Sequence, residues 1–207
     1  MDITVDGNYE GRLTFELFED TPLTTENFKC LCTGEKGISP ISGLPLHYKG
    51  SKIHKVFPNY IIQGGDFTRG DGRGGESIYG KTFPDENFNH NHTGPGLLAM
   101  ANSGEKDSSN SQFFISVCQE PNLHLNGKYV VFGRLKAGTE LIREIAKLGD
   151  IKTGKPKAEI IISDCGIAEK TEHVEKNPDE KENESSNEIQ TDGVRTDTST
   201  AEMLIDS

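Results

Sequence analysis

Short apolar segments separated by glycines and polar turns recur along the first 168 residues of this 207-residue chain. Near the start, residues 2–5 and 13–17 alternate apolar with polar positions around the turn signal Asp6-Gly7, which predicts a β-hairpin. Further runs with the length and composition of strands lie at 53–57, 60–63, 97–100, 113–117, 129–133 and 159–163. The pattern therefore predicts about eight short strands.

Two segments instead have the spacing of a helix. In the first, Thr21 is a suitable cap, Pro22 suits the first helical position and Gly34 ends the periodic stretch. The second runs from about Thr139 to Leu148 and has a stripe of apolar residues on one face. We predict a mainly β fold, a closed eight-stranded antiparallel β-barrel capped by two α-helices, because closure removes the unpaired edges of an open sheet.

Charge divides the chain at about residue 168. Residues 1–168 carry 18 Lys/Arg and 21 Asp/Glu, whereas residues 169–207 carry 4 and 12, so −8 of the total charge of −11 lies in the second segment. That segment also lacks aromatic residues and cannot bury enough apolar area to offset the ordering of its backbone. We predict one folded domain over 1–168 and an acidic disordered tail over 169–207.

The composition also bounds the partners and the compartment. No cluster of Lys/Arg is dense enough to bind a nucleic-acid backbone, and no run of eighteen apolar residues is present that could cross a membrane. The absence of a basic and then apolar leader favours the cytoplasm or the nucleus. The four cysteines are too few for a disulfide scaffold and lack the paired spacing of a zinc site, so we expect reduced thiols and no metal.

Two short motifs point towards other chemistry. Residues 75–82, GESIYGKT, match the phosphate-loop pattern, but Phe83-Pro84-Asp85 follows where such a loop requires a helix, so we interpret the match as accidental. His90 and His92 form an H-x-H pair. Because no acidic or cysteine residue lies at ligand spacing from them, a solvated polar loop is the preferred interpretation.

Longer motifs carry a resemblance to a known family. They are LCTGEKG at 31–37, IHKVF at 53–57, YIIQGGDF at 60–67, GGESIYG at 74–80, MAN at 100–102, SQFF at 111–114 and LNGKYVVFG at 125–133. Through these motifs, in order over residues 3–166, the chain resembles the cyclophilin family of peptidyl-prolyl isomerases. The resemblance implies a cofactor-independent enzyme that binds proline-containing peptides and client proteins and accelerates cis/trans rotation about X–Pro bonds, and we expect a monomer.

The family pattern also assigns site residues. It implies catalytic roles for Lys55, Gln63 and Phe114. The residues expected to contact the peptide are His54, Tyr60, Ile61, Ala101, Asn102, Gln112, His124, Leu125 and Tyr129. For Phe113 and Ile62 we predict packing in the core instead, because strand alternation turns them away from the face of Phe114 and Ile61.

Three of these positions depart from the commonest pattern of the family. Lys55 stands where most active members have arginine; lysine keeps the charge but loses the planar fork of donors, so we predict a turnover weakened on the order of 10–100-fold. His124 replaces a tryptophan, which predicts reduced affinity for cyclosporin, the family's fungal peptide inhibitor. Tyr129 replaces a histidine and retains an aromatic wall and a hydroxyl.

Arg73, Lys81 and Ser103 match positions that line a second, shallower pocket in the family. Two of the three are long cations, so a functional second pocket is expected to favour acidic residues upstream of the proline. Solvated surface charge is the competing interpretation.

The insertion at 38–45 resembles the extra loop of the divergent-loop cyclophilins. In those relatives, cysteines at the positions of Cys32 and Cys165 have been linked to redox control, and Glu86 also fits that pattern. Buried, reduced thiols are the competing interpretation.

Two other classes of function remain alternatives. In the first, the domain is a proline-peptide binding module, a chaperone or scaffold component with weak or no catalysis because of Lys55. In the second, the function resides in the tail, whose acidic residues engage a basic partner or keep clients soluble.

Overall fold

Nine β-strands and two α-helices form the part of the chain that the computed structural model describes, residues 1–168. The strands are β1 (Asp2–Val5), β2 (Asn8–Arg12), β3 (Thr14–Leu17), β4 (Lys55–Phe57), β5 (Ile61–Gly64), β6 (Leu97–Met100), β7 (Phe113–Ser116), β8 (Val131–Ala137) and β9 (Ile160–Asp164). The helices are α1 (Pro22–Thr33) and α2 (Thr139–Lys147), and Leu123–Leu125 form a 3₁₀ turn. The predicted tail lies outside the described residues.

The strands form two antiparallel sheets, with the orders β2-β1-β9 and β3-β8-β6-β7-β5-β4. The prediction of a mainly β fold with two helices is confirmed, but the prediction of one closed eight-stranded barrel is wrong. The chain changes partner at Leu13, whose amide still donates to Met1, whereas Thr14 already pairs with Ala137 of β8. At the other junction, a single isolated bridge between Lys52 and Ile161 links β9 to the segment before β4.

Aromatic rings fill the interior of the domain. Phe28 of α1 lies 5.1–5.4 Å from the ring centres of Tyr48, Phe113 and Phe132, and all four residues are buried. Ile62 is also buried in this core, so the prediction that Phe113 and Ile62 face inward is confirmed. Contacts between rings at this distance add to the hydrophobic stabilisation of the core.

Helix α1 begins and ends where the sequence predicts, but its first turn is capped in an unexpected way. Pro22 is its first residue and Gly34 follows it with a left-handed φ of 72°. The Thr21 hydroxyl donates back to the Phe18 carbonyl and caps nothing. Instead, the carboxylate of Glu86 accepts bonds of 2.9 Å from the amides of Leu23 and Thr24. A negative charge at this position satisfies free helix amides and complements the helix dipole.

Helix α2 follows the predicted stripe, with Ile142 and Ile145 buried against the core. It ends at Lys147, one residue before the predicted end. Within residues 1–168, neither helix has the length and apolar character needed to cross a membrane.

The cap supplied by Glu86 can be tested by substitution. Glu86→Ala leaves two helix amides unsatisfied, so we expect the free energy of unfolding to fall by about 1 kcal/mol in urea denaturation. Glu19→Ala is the matched control, because Glu19 is exposed and its carboxylate bonds no group within the described residues. Equal unfolding free energies for the two variants would contradict the role of Glu86.

Candidate active site

A groove of about 610 Å³ lies on the face of the six-stranded sheet opposite the main core. The structure brings together in it all of the predicted peptide-contacting and catalytic residues except His54 and His124. The lining residues predicted from sequence are Lys55, Tyr60, Ile61, Gln63, Ala101, Asn102, Gln112, Phe114, Leu125 and Tyr129.

The floor of the groove is apolar. Phe114 and Leu125 are 4% and 5% exposed and belong to a small hydrophobic cluster separate from the main core. The ring of Tyr129 meets the ring of Phe114 edge to face, with centres 5.5 Å apart at 84°. Buried aromatic and aliphatic side chains of this kind give the groove an apolar floor on which a ligand can pack.

The underside of Phe114 contacts His92, a residue that the sequence placed in a solvated loop. His92 is 1% exposed and stacks on Phe114, with ring centres 5.7 Å apart at 17°. Burial lowers the pKa of His92, so the ring is held neutral beneath the floor. The prediction of a solvated loop is therefore wrong for His92, and His90 is half-buried and bonded to Asp20 at 2.9 Å.

Strand register places the three predicted catalytic residues in one row. Lys55 on β4 pairs directly with Gln63 on β5, and Gln63 pairs with Phe114 on β7. Directly opposite residues on antiparallel strands project from the same face with Cβ atoms about 5 Å apart. A cation, an amide and an aromatic ring thus stand side by side across three adjacent strands.

The amide of Gln63 has a fixed orientation. Its Nε2 donates to Oε1 of Gln112 at 2.9 Å, and Gln112 Nε2 donates to the carbonyls of Gly72 and Gly74 at 3.0 and 2.8 Å. Within residues 1–168, neither the side-chain oxygen Oε1 of Gln63 nor the Lys55 ammonium has a hydrogen-bond partner. Both groups are therefore available to a ligand in the groove.

The opposite edge of the groove offers backbone groups. Ala101 donates its amide to the Gln112 carbonyl at 2.9 Å, which fixes this edge to the rest of the site. The side chain of Asn102 is occupied by the Lys128 carbonyl, at 2.7 Å, and by the Gly104 amide. Its backbone amide and carbonyl bond no other backbone group within the described residues, and Asn102 lines the groove.

Comparison with known families now decides the identity of the fold. The family model described as cyclophilin type peptidyl-prolyl cis-trans isomerase/CLD matches residues 1–167. The chain belongs to the cyclophilin family. It is a peptidyl-prolyl cis-trans isomerase, and its family binds proline-containing peptides and proteins.

The two predicted residues outside the lining lie at its margins. His124 stacks on Tyr60, with ring centres 6.0 Å apart, and its Nε2 lies 3.2 Å from the Tyr60 hydroxyl, so it extends the rim of the cyclophilin groove. His54 packs behind the groove against Gly72, and burial lowers its pKa. Neither ring nitrogen of His54 has a hydrogen-bond partner within the described residues.

The predicted second pocket is continuous with the groove. Arg73, Lys81 and Ser103 all line it, and Ser103 is held by two bonds to the Ser108 hydroxyl. The lining residues include Lys55 as a third cation and no Asp or Glu. A domain with a net charge of −3 thus has a cationic groove, which favours anionic groups near it.

The cysteines of the predicted redox pair are free and lie beside each other. Cys32 is buried, Cys165 is partly exposed, and both line a separate cavity of about 370 Å³. The contact between the two thiols raises the pKa of the buried Cys32 and lowers that of Cys165. Redox control through this pair stays a prediction.

A buried glutamate contacts the insertion. Glu76 is 3% exposed and accepts hydrogen bonds from the hydroxyls of Ser39, at 2.8 Å, and Ser42. Glu86 bonds α1 rather than the insertion, and its place in the divergent-loop pattern stays a prediction.

Proposed function

We propose that this cyclophilin accelerates X–Pro rotation in peptides and client proteins by binding the twisted amide more tightly than either planar isomer. Rotation about this bond meets a barrier near 20 kcal/mol that is set by amide resonance, and no covalent bond is broken. Differential binding of the twisted state is therefore sufficient for catalysis. The observation that carries the proposal is the row of Lys55, Gln63 and Phe114 across three strands.

Each part of the row has a role in the proposal. Phe114, Leu125 and Tyr129 hold the proline ring, which fixes one side of the rotating bond. Gln63 and the backbone of Asn102 anchor the peptide on the other side. In this proposal the Lys55 ammonium stabilises the electron pair that localises on the prolyl nitrogen when conjugation is lost.

Lysine at position 55 limits this mechanism. Arginine presents several donors in a rigid fork and bonds a carbonyl and the prolyl nitrogen at once, whereas a lysine ammonium is a flexible, strongly hydrated point charge. We therefore propose a functional enzyme with weakened turnover, acting on exposed proline segments.

The first experiment compares the wild type with Lys55→Arg by magnetisation-exchange NMR on an Ala-Pro-containing peptide. We expect Lys55→Arg to raise turnover by roughly 10–100-fold while the affinity for the peptide changes much less. Lys52→Arg is the matched control, because Lys52 lies outside the groove and pairs with Glu159. Phe114→Ala should lose both turnover and binding.

The same experiment separates the enzyme from the binding module. Peptide binding without exchange in both the wild type and Lys55→Arg would make the domain a proline-peptide binding module. Turnover that survives in Phe114→Ala would place the proline ring elsewhere.

Reduced affinity for cyclosporin follows from the rim residue His124. An imidazole buries less apolar area than an indole, so we expect His124→Trp to tighten cyclosporin binding on the order of 10-fold. Isothermal titration calorimetry measures both dissociation constants. Equal affinity in the wild type and His124→Trp would show that this position does not limit the inhibitor.

The cationic lining predicts a preference for acidic residues upstream of the proline. In a peptide library we expect selection of Asp and Glu at these positions, and we expect an Arg73→Ala, Lys81→Ala double variant to lose it. A Lys36→Ala, Lys106→Ala double variant controls for the loss of two positive charges, because both lysines are exposed and lie outside the groove. A library without acidic preference would support solvated surface charge instead.

A further inference from the structure

A buried carboxylate organises the loop next to the groove. Asp66 follows β5, is 1% exposed and forms no ion pair within residues 1–168. Its Oδ1 accepts from the Thr68 hydroxyl and the Arg69 amide at 3.1 and 2.9 Å. Its Oδ2 accepts from the amides of Asp71, Gly72 and Gly74 at 3.2, 2.9 and 3.0 Å. Five donors thus replace the water that burial removes from this charge.

The loop is shaped to close around this carboxylate. A Cβ atom on Gly74 would lie 2.2 Å from the Thr68 hydroxyl and 2.5 Å from Asp66 Oδ1. Gly72 and Gly75 have φ values of 83° and 91°, which other residues adopt with strain. The turn therefore depends both on its glycines and on the acceptor at its centre.

The outer side of the same loop contacts the catalytic row. The carbonyls of Gly72 and Gly74 both accept from Gln112 Nε2, which forces Gln112 Oε1 to face Gln63. Gln63 Nε2 then donates to that oxygen, so the Gln63 carbonyl is the end left for the substrate. An amide has one donor end and one acceptor end, so each link determines the orientation of the next.

We propose that Asp66 is a positioning residue for isomerisation, acting through the glycine-rich loop and Gln112 to fix the acceptor end of Gln63 towards the peptide. The inference rests on the proposed function for its kinetic consequence. Asp66 contacts no substrate itself; it holds the two glycine carbonyls in place. Without it, the Gln112 amide loses its two acceptors and Gln63 can rotate.

The kinetic test is a double-mutant cycle between Asp66→Asn and Gln63→Ala. Asparagine has nearly the size of aspartate, but its NH₂ group cannot accept hydrogen bonds from the backbone amides that face it. We therefore expect the loop to open without a change in side-chain volume. We expect Asp66→Asn to lower kcat/KM on the order of 10-fold in the wild-type background and much less in the Gln63→Ala background. Displacing the Gln63 side chain can slow the reaction only in a protein that has this side chain. An equal fall of kcat/KM in the two backgrounds would overturn the proposal and would leave Asp66 with a structural role only.

The control comes from a turn outside the groove. Asp6→Asn alters a carboxylate that accepts the Glu159 amide at 2.8 Å and bonds neither the glycine-rich loop nor Gln112. We expect its kcat/KM to be unchanged. Should Asp66→Asn fail to fold, Thr68→Val removes one bond to Asp66 and one to the Gly75 amide at nearly constant volume, and the cycle is repeated with that variant.

A spectroscopic readout separates this inference from the proposed function. The side-chain amide resonances of Gln63 and Gln112 report their hydrogen bonds directly, and we expect both to shift in Asp66→Asn and to stay in place in Asp6→Asn. Unshifted resonances in Asp66→Asn would refute the proposed link from Asp66 through Gln112 to Gln63, whether or not the protein catalyses rotation. If the wild type shows no exchange, shifted resonances still support this link. The double-mutant cycle then compares peptide dissociation constants instead of kcat/KM.

Discussion

Strand β7 is buried on both faces, and the rest of the domain depends on how its four residues divide between them. Phe113 points into the main core, against Phe28 and Tyr48, and Phe114 points to the floor of the groove. The period of two along a strand makes this division strict, because a slip of one residue would exchange the faces. Fold stability and ligand binding thus share one short segment but use opposite sides of it.

The register of β7 with β5 extends this division to the polar part of the site. Gln63 lies opposite Phe114, while its neighbour Ile62 lies opposite Ile115 in the core. Lys55 and Gln63 are thereby supported by strands, whereas Gln112 and Asn102 lie just beyond the strand ends. Such placement is suited to a reaction that requires positioning and electrostatics and no covalent step.

Local signals allowed much of this to be predicted from sequence. The turn at Asp6 and Gly7 has positive φ at both positions, and Pro22 and Gly34 bound α1, because each feature depends on neighbouring residues. The change of partner at Leu13 was missed, since the pattern of residues 13–17 does not state which strand they pair with. The cap formed by Glu86 and the loop contacts of Asp66 were not predicted. Their partners are mainly backbone amides, whose positions no pattern of side chains indicates.

The packing around the Lys55 stem explains why exchanging lysine for arginine tests turnover without altering the fold. The stem of Lys55 packs beside Gly154, where an added Cβ would lie 3.0 Å from Lys55 Cγ and 2.6 Å from the Phe57 ring. Gly154 in turn accepts the Val56 amide at 2.8 Å, so the wall behind the stem is part of the backbone framework. Lysine and arginine share this aliphatic stem and differ only beyond it. The two side chains therefore enter the groove along the same path, and the difference between them is confined to the head group.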